Sequence, residues 1–213
     1  GAEKALFGTI TGTVGINFSA YEDIPVKRSG ADSDKYPAMK TFQDAALAGV
    51  PLFLQRNINL CGYTTPTPVQ KHAIPIAVAG LDVMTCAQTG SGKTAAFLLP
   101  LLARKLKVRP VDQKFGEDDS ACLPIALVMA PTRELAQQIH GEATKFCNRS
   151  PFCTVVVYGG SPLKPQLLEL SKGTDLIVAT PGRLIDMMER GIVSLRQCTY
   201  LCLDEADRML DMG

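Results

Sequence analysis

The stretch Ala87-Gln88-Thr89-Gly90-Ser91-Gly92-Lys93-Thr94 holds the residue types and spacing best suited to phosphate chemistry. Gly90 and Gly92 let the backbone turn without a Cβ in the way. Several amide N–H groups can then converge on phosphate oxygens, helped by the positive end of the helix that follows. Lys93 would reach the β- and γ-phosphates, and the Thr94 hydroxyl would sit on Mg²⁺. The apolar run Leu81-Asp82-Val83-Met84-Thr85-Cys86 reads as a strand leading in, and Ala95-Ala96-Phe97-Leu98-Leu99 as a helix leading out. The position usually held by a first glycine is Ala87. The plainer reading is a Gly/Ser turn before an ordinary helix; the strand–loop–helix setting argues against it.

A second group lies near the C-terminus. Tyr200-Leu201-Cys202-Leu203 reads as a strand that delivers Asp204-Glu205-Ala206-Asp207. A carboxylate held at a rigid strand end suits Mg²⁺, so Asp204 is the candidate metal ligand. Glu205 beside it could orient or deprotonate an attacking water, and Asp207 could tie the motif to its neighbours. The alternative is an acidic cluster capping the helix Arg208-Met209-Leu210. A third feature is Thr67-Pro68-Val69-Gln70, an N-cap, a first helical residue and then a Gln on the first turn. An amide that donates and accepts together suits adenine, although a Gln so placed is more often solvated. Pro75 is expected to end or kink that helix.

The elements that must position these groups are legible as apolar runs. Pro124–Ala130, Thr154–Tyr158, Asp175–Ala179 and Tyr200–Leu203 have the continuous character of strands buried in a parallel sheet. Helical patterns lie between them at Arg133–Cys147, Leu163–Leu170 and Arg183–Arg190, which predicts a doubly wound α/β fold with right-handed crossovers. Ligands bind beyond the carboxyl ends of such strands. Those ends deliver Pro131-Thr132-Arg133-Glu134, Gly159-Gly160 and Thr180-Pro181-Gly182-Arg183. Thr132 and Thr180 are N-cap candidates, and open helix starts beside Arg133 and Arg183 would suit nucleic-acid phosphates without base readout. Contacts to 2′-hydroxyls would favour RNA. Taken singly, each is also explained by plain helix capping.

Composition sets the bounds. With 213 residues, 46% hydrophobic and 20% charged, the chain is globular and long enough for a core. A net charge of +1 means that any basic surface is local. The seven cysteines form no C-x-x-C pair and only two histidines accompany them, which argues against zinc and against a secreted disulfide frame, and for a reducing compartment. No apolar run is long enough to span a bilayer. Residues 1–40 read as an extended arm that Gly15–Phe18 and Tyr21–Val26 could pin to a surface. A helix is expected from Thr41, carrying Phe42 and restarting at Pro51. Residues 108–122 read as a polar, turn-rich loop.

Together these motifs resemble the first RecA-like domain of DEAD-box ATP-dependent RNA helicases, over roughly residues 15 to 213. The Q motif corresponds to Gly62–Gln70, motif I to Ala87–Thr94 and motif Ia to Pro131–Ala136. The GG motif corresponds to Gly159-Gly160, motif Ib to Thr180–Arg183 and motif II to Asp204–Asp207. Ala87 is usual in this family. The segment Thr67–Pro75 and the Gly15–Val26 arm look most like the Vasa/Belle subfamily, implicated in translation initiation and germline mRNA control. The resemblance implies an α/β, RecA-like (P-loop), doubly wound and mainly parallel sheet with helices on both faces, its last strand or strands missing by truncation. It implies an arm over 1–40 and an ATP-binding domain over 41–213, with ATP/ADP and Mg²⁺ as cofactors. Phe42 and Tyr63 would pack on or near adenine and Gln70 would read its edge; the Phe42–Tyr63 spacing is a few residues longer than the family's. Ala87 to Thr94 would hold phosphates and metal, with Lys93, Asp204 and Glu205 catalytic and Thr94 and Asp204 on Mg²⁺. Pro131, Thr132, Arg133, Glu134, Gly159, Gly160 and Thr180 to Arg183 would grip RNA. The implied partners are RNA, a second RecA-like domain carrying arginine fingers, and translation-initiation or RNP proteins, with no membrane. The implied location is cytoplasmic, with RNP granules or the nucleus as alternatives. Without the second domain, this stretch should hydrolyse ATP barely. Two other readings compete: a different P-loop enzyme such as a GTPase or small-molecule kinase, against which no Asn-Lys-x-Asp motif occurs, and a non-catalytic RNA-binding scaffold, against which Lys93, Thr94, Asp204 and Glu205 are all intact.

Overall fold

The structure, a computed structural model, describes residues 2–8, 25–44, 50–106 and 121–211. The expected anchors Gly15–Phe18 and Tyr21–Ile24, and nearly all of the 108–122 loop, lie outside the described residues. The chain forms two compact units, residues 1–109 and 110–213.

The first unit is helical: α1 Ala2–Phe7, α2 Leu52–Leu60, α3 Pro68–Val78 and α4 Lys93–Lys105, with a 3-10 turn at Ser33–Lys35. Leu54 and Ile58 of α2, Ile74 of α3 and Leu98, Leu99, Leu101 and Leu102 of α4 form its buried interior. Four expectations need correction. The arm is not wholly extended, because it opens on α1, whose Glu3 pairs with Arg56 of α2 at 2.7 Å. The segment at Thr41 is a turn, because the Asp44 carboxylate takes the N–H groups of Lys40 and Thr41 and the Thr41 hydroxyl. Such local bonds compete with helix formation. Helix α3 runs through Pro75 to Val78. Leu81–Cys86 is not a strand: it is exposed, with Met84 at 92%, and it joins no ladder among the described residues. A strand is defined by pairing, which apolar composition alone cannot supply.

The second unit contains β1 Ala126–Met129, α5 Arg133–Phe146, β2 Thr154–Val157, α6 Leu163–Leu170, β3 Leu176–Ala179, α7 Pro181–Glu189, β4 Tyr200–Leu203 and α8 Ala206–Asp211. Its sheet has the order β2-β3-β1-β4 and every pair is parallel. Leu127 is in register with Ile177 and Leu201, and Val155 with Ile177, so these side chains share one face. That face packs Val155, Val157, Leu127, Ile177 and Ala179 against Leu170 of α6 and Leu184 and Met187 of α7. The connection from β1 to β2 runs across the sheet in the opposite direction from the two that follow. Right-handed crossovers therefore put α5 on the other face, where Ala126, Val128, Leu176 and Val178 are also buried. This is the doubly wound parallel sheet expected. Among the described residues β4 pairs on one side only, and its Leu201 and Leu203 are exposed.

Candidate nucleotide loop and nucleic-acid cleft

In the first unit the glycine-rich loop is closed on itself. Gly90 (φ 82°) and Gly92 (φ 85°) take left-handed conformations that a side chain would strain. The turn Gln88–Ser91 is closed by the Ser91 N–H donating to the Gln88 carbonyl at 3.2 Å. Gly92 caps α4, so Lys93 and Thr94 open the helix. The Lys93 ammonium folds back on the carbonyl oxygens of Ala87 at 2.5 Å and Gln88 at 3.3 Å. The Ser91 hydroxyl is buried and has no hydrogen-bond partner. A cation on loop carbonyls, an orphaned hydroxyl and a helix start in one turn fit a phosphate group.

Gln70 is fully buried, which sets aside the solvated alternative. Its Oε1 accepts the Thr67 N–H at 2.9 Å and its Nε2 donates to the Gly92 carbonyl at 3.0 Å. A Cβ on Gly92 would collide with that same Nε2. The amide thus ties the start of α3 to the residue just before Lys93. Phe42 and Tyr63, both buried, meet edge to face with centroids 5.8 Å apart and rings at 77°.

In the second unit the ladder bonds continue past the strands. Ala130 N–H donates to Ala179, Thr180 to Val157 and Asp204 to Met129, at 2.9, 3.0 and 2.9 Å. These bonds set the strand-end residues in one row. Pro131, Arg133, Gly159, Thr180, Pro181, Gly182 and Arg183 line a single cleft of about 680 Å³, joined by Ile185 and Met209. Thr132, Glu134 and Gly160 are not on its wall. Thr132 instead caps α5 by accepting the Leu135 N–H at 3.3 Å. Thr180 stands at the cap position of α7, yet its hydroxyl accepts the Gly159 N–H at 3.3 Å and so fastens the glycine pair. Arg183 donates through Nη2 to the Ser161 carbonyl at 3.0 Å, while its Nη1 is buried without a partner. The first-turn N–H groups of α7 have no intrahelical acceptors. They lie beside two guanidinium groups, and the whole suits a phosphodiester backbone.

Sequence reasoning missed the scaffolding of this cleft. The Arg133 guanidinium lies over the Tyr158 ring, 4.8 Å from its centroid. The Tyr158 hydroxyl accepts from Gln137 at 3.0 Å. Gln166, buried on α6, accepts the Tyr158 N–H at 3.0 Å and donates to the Tyr158 carbonyl at 3.1 Å. Tyr158, next to Gly159 at a strand end, could have been singled out by position. Gln166 leaves no signal in spacing.

Asp204 is buried at the end of β4. Beside it, burial, with the Asp204 charge second, pushes the Cys202 thiol up to about 12. Glu205 has a left-handed backbone (φ 52°), a conformation costing about 1–3 kcal/mol that the surroundings must hold in place. Its carboxylate meets Arg208 at 2.7 Å. A pair this exposed contributes about 0.5 kcal/mol, so Glu205 can leave it cheaply. Asp207 lies in the first turn of α8 and is exposed. Among the described residues no group of three His, Cys, Asp or Glu could hold a metal ion.

A glycine-rich loop that opens a helix and a parallel α/β sheet with a cleft at its strand ends are the features of a P-loop α/β protein. Residues 67–213 match the DEAD/DEAH box helicase family, and the chain belongs to that family. Among solved structures, the RNA-helicase Prp28 from Chaetomium thermophilum, bound to ADP, is 44% identical with a TM-score of 0.71, over 83% of this chain and 41% of that one. The yeast DEAD-box splicing factor Prp28 is 34% identical with a TM-score of 0.70, over 83% and 40%. The chain therefore spans about two fifths of the length of these relatives.

Proposed function

We propose that this chain supplies the ATP-binding and RNA-gripping RecA-like half of an ATP-dependent RNA helicase. The observation that carries the reading is the cleft where Pro131, Arg133, Gly159 and Thr180 to Arg183 converge. A wall that combines a helix start with guanidinium groups suits single-stranded RNA held by its backbone. In the loop, Ala87 to Thr94 would hold the phosphates of ATP or ADP, with Lys93 leaving its carbonyl partners for phosphate oxygens. ADP bound to the Chaetomium relative supports that reading. The Thr94 hydroxyl and the Asp204 carboxylate are each a hard oxygen donor that would suit Mg²⁺, which would supply charge neutralisation at the phosphates. Glu205 would orient the attacking water, and Phe42, Tyr63 and Gln70 would form the adenine side.

Residues 41–213 serve as one ATP-binding domain behind an arm over 1–40, and a second RecA-like domain supplies the arginine fingers. Such fingers contribute about 10³–10⁵ in rate, so this chain alone should turn over barely. On the strength of Thr67–Pro75, the finer reading places the protein near the Vasa/Belle group, in cytoplasmic mRNA translation with initiation or RNP proteins as partners.

Titration of the chain with a fluorescent ATP analogue and with single-stranded RNA tests the core reading. Lys93→Ala should abolish nucleotide binding. Arg183→Ala should weaken RNA binding regardless of sequence and lower its salt slope by about 1. In a chain joined to a second RecA-like domain, Glu205→Gln should bind both ligands but not hydrolyse. Preference for GTP, or wild-type nucleotide binding by Lys93→Ala, would overturn the reading.

A further inference from the structure

Helix α3 continues through Pro75, and that continuity has a chemical consequence. Proline has no N–H, so the carbonyl four residues earlier, that of Lys71, loses its intrahelical donor. The N–H of Met39, from the segment before α2, fills that place at 3.0 Å. Met39 is only 4% exposed. Around it the segment is held by short-range bonds, Arg28 Nη2 to the Tyr36 carbonyl at 2.8 Å and the Thr41 hydroxyl to Asp44 at 2.7 Å. Three residues after Met39 comes Phe42, packed edge-on against Tyr63. Met39, Phe42 and Tyr63 all lie outside the region matched by the family, residues 67–213, whereas Lys71 and Pro75 lie inside it.

We propose that Pro75 is a positioning residue. By withholding one N–H it opens a single docking point on α3 for the Met39 N–H, and this bond seats Phe42 against Tyr63. The proposal rests on the reading of Phe42 and Tyr63 as the adenine side of the nucleotide site. An alanine at 75 restores the helical donor to Lys71 and competes for the carbonyl. It also favours the helix itself, since proline is the poorest helix former. The two effects have opposite signs. A merely structural role for Pro75 would change protection of α3 and of Met39 together, whereas a docking role separates them.

Amide hydrogen exchange on wild type and Pro75→Ala, with ATP-analogue titrations of both, tests this. Lys93→Ala and Phe42→Ala serve as controls. In Pro75→Ala the Met39 amide should exchange up to about tenfold faster, the scale of one hydrogen bond. The α3 amides should exchange no faster than before, and nucleotide should bind several-fold more weakly. Unchanged Met39 exchange overturns the docking role. Faster Met39 exchange with wild-type nucleotide affinity overturns the link to the nucleotide. In that case, a Phe42→Ala variant that also binds normally puts the fault in the aromatic reading, and normal binding by Lys93→Ala puts it in the nucleotide loop.

Discussion

His140 sits on α5 with Nε2 3.1 Å from the Thr154 carbonyl oxygen. Burial lowers its pKa, against smaller raising effects from the Thr154 carbonyl and Glu169. His72 is lowered too, by burial first and then by the charges of Arg28 and Lys71. Both rings are thus harder to protonate folded than unfolded. Their contribution to stability is complete above the unfolded value of about 6.5 and is lost as pH falls below it towards the folded values. The urea midpoint should drop between pH 7.5 and 5.5, and His140→Gln should show a smaller drop; an equal drop would contradict the assignment. At this scale the sequence exposed those residues whose type is unusual for their place. Gly90, Gly92, Lys93 and Asp204 stood out because a glycine pair before a lysine, or a carboxylate ending an apolar run, has few structural uses. The destination of the Gln70 amide, the back-folded Lys93 and the left-handed Glu205 were invisible. The first is decided by a residue 22 positions away, the second by how the loop folds beneath its own lysine, and the third by one backbone dihedral angle.

At the scale of elements, the loop carrying Gly159 and Gly160 is clamped from two helices. Gln166 of α6 holds the backbone of Tyr158 on both sides, and Thr180 at the head of α7 holds the Gly159 N–H. Gln166→Leu keeps the bulk of the side chain and removes the amide, leaving two backbone groups to find water. RNA affinity should fall about tenfold, from a lost hydrogen bond and a misplaced Tyr158–Arg133 stack. ATP-analogue affinity should stay put, and filter binding at two salt concentrations measures the loss. Unaltered RNA binding would mean that the loop holds its shape without the clamp. All four runs after the loop became strands, but the continuous burial expected of them holds for β3 and most of β1 and not for β2 or β4, whose patterns alternate. Leu81–Cys86 has such a run and still joins no ladder, because pairing is a property of two segments. The turn at Thr41–Asp44 and the unbroken α3 departed from expectation for a shared reason. A side chain or a distant N–H supplied bonds that local propensity does not count.

At the scale of the whole molecule, two compact units each carry part of the chemistry, where the sequence reading expected an arm over 1–40 and one domain over 41–213. β4 pairs with β1 along one side only, and on its other side no strand lies among the described residues. Leu201 and Leu203 stand out from it, 59% and 49% exposed. Natural proteins usually blunt such a border with lysines, prolines or bulges, and Tyr200–Leu203 has no lysine or proline. In sedimentation velocity the purified chain should form higher-order species as its concentration rises, and Leu201→Lys should suppress them. A worker concentrating this protein should therefore meet turbidity that starts from the rim beside the acidic motif, and one well-placed positive charge there would do more for handling than any buffer.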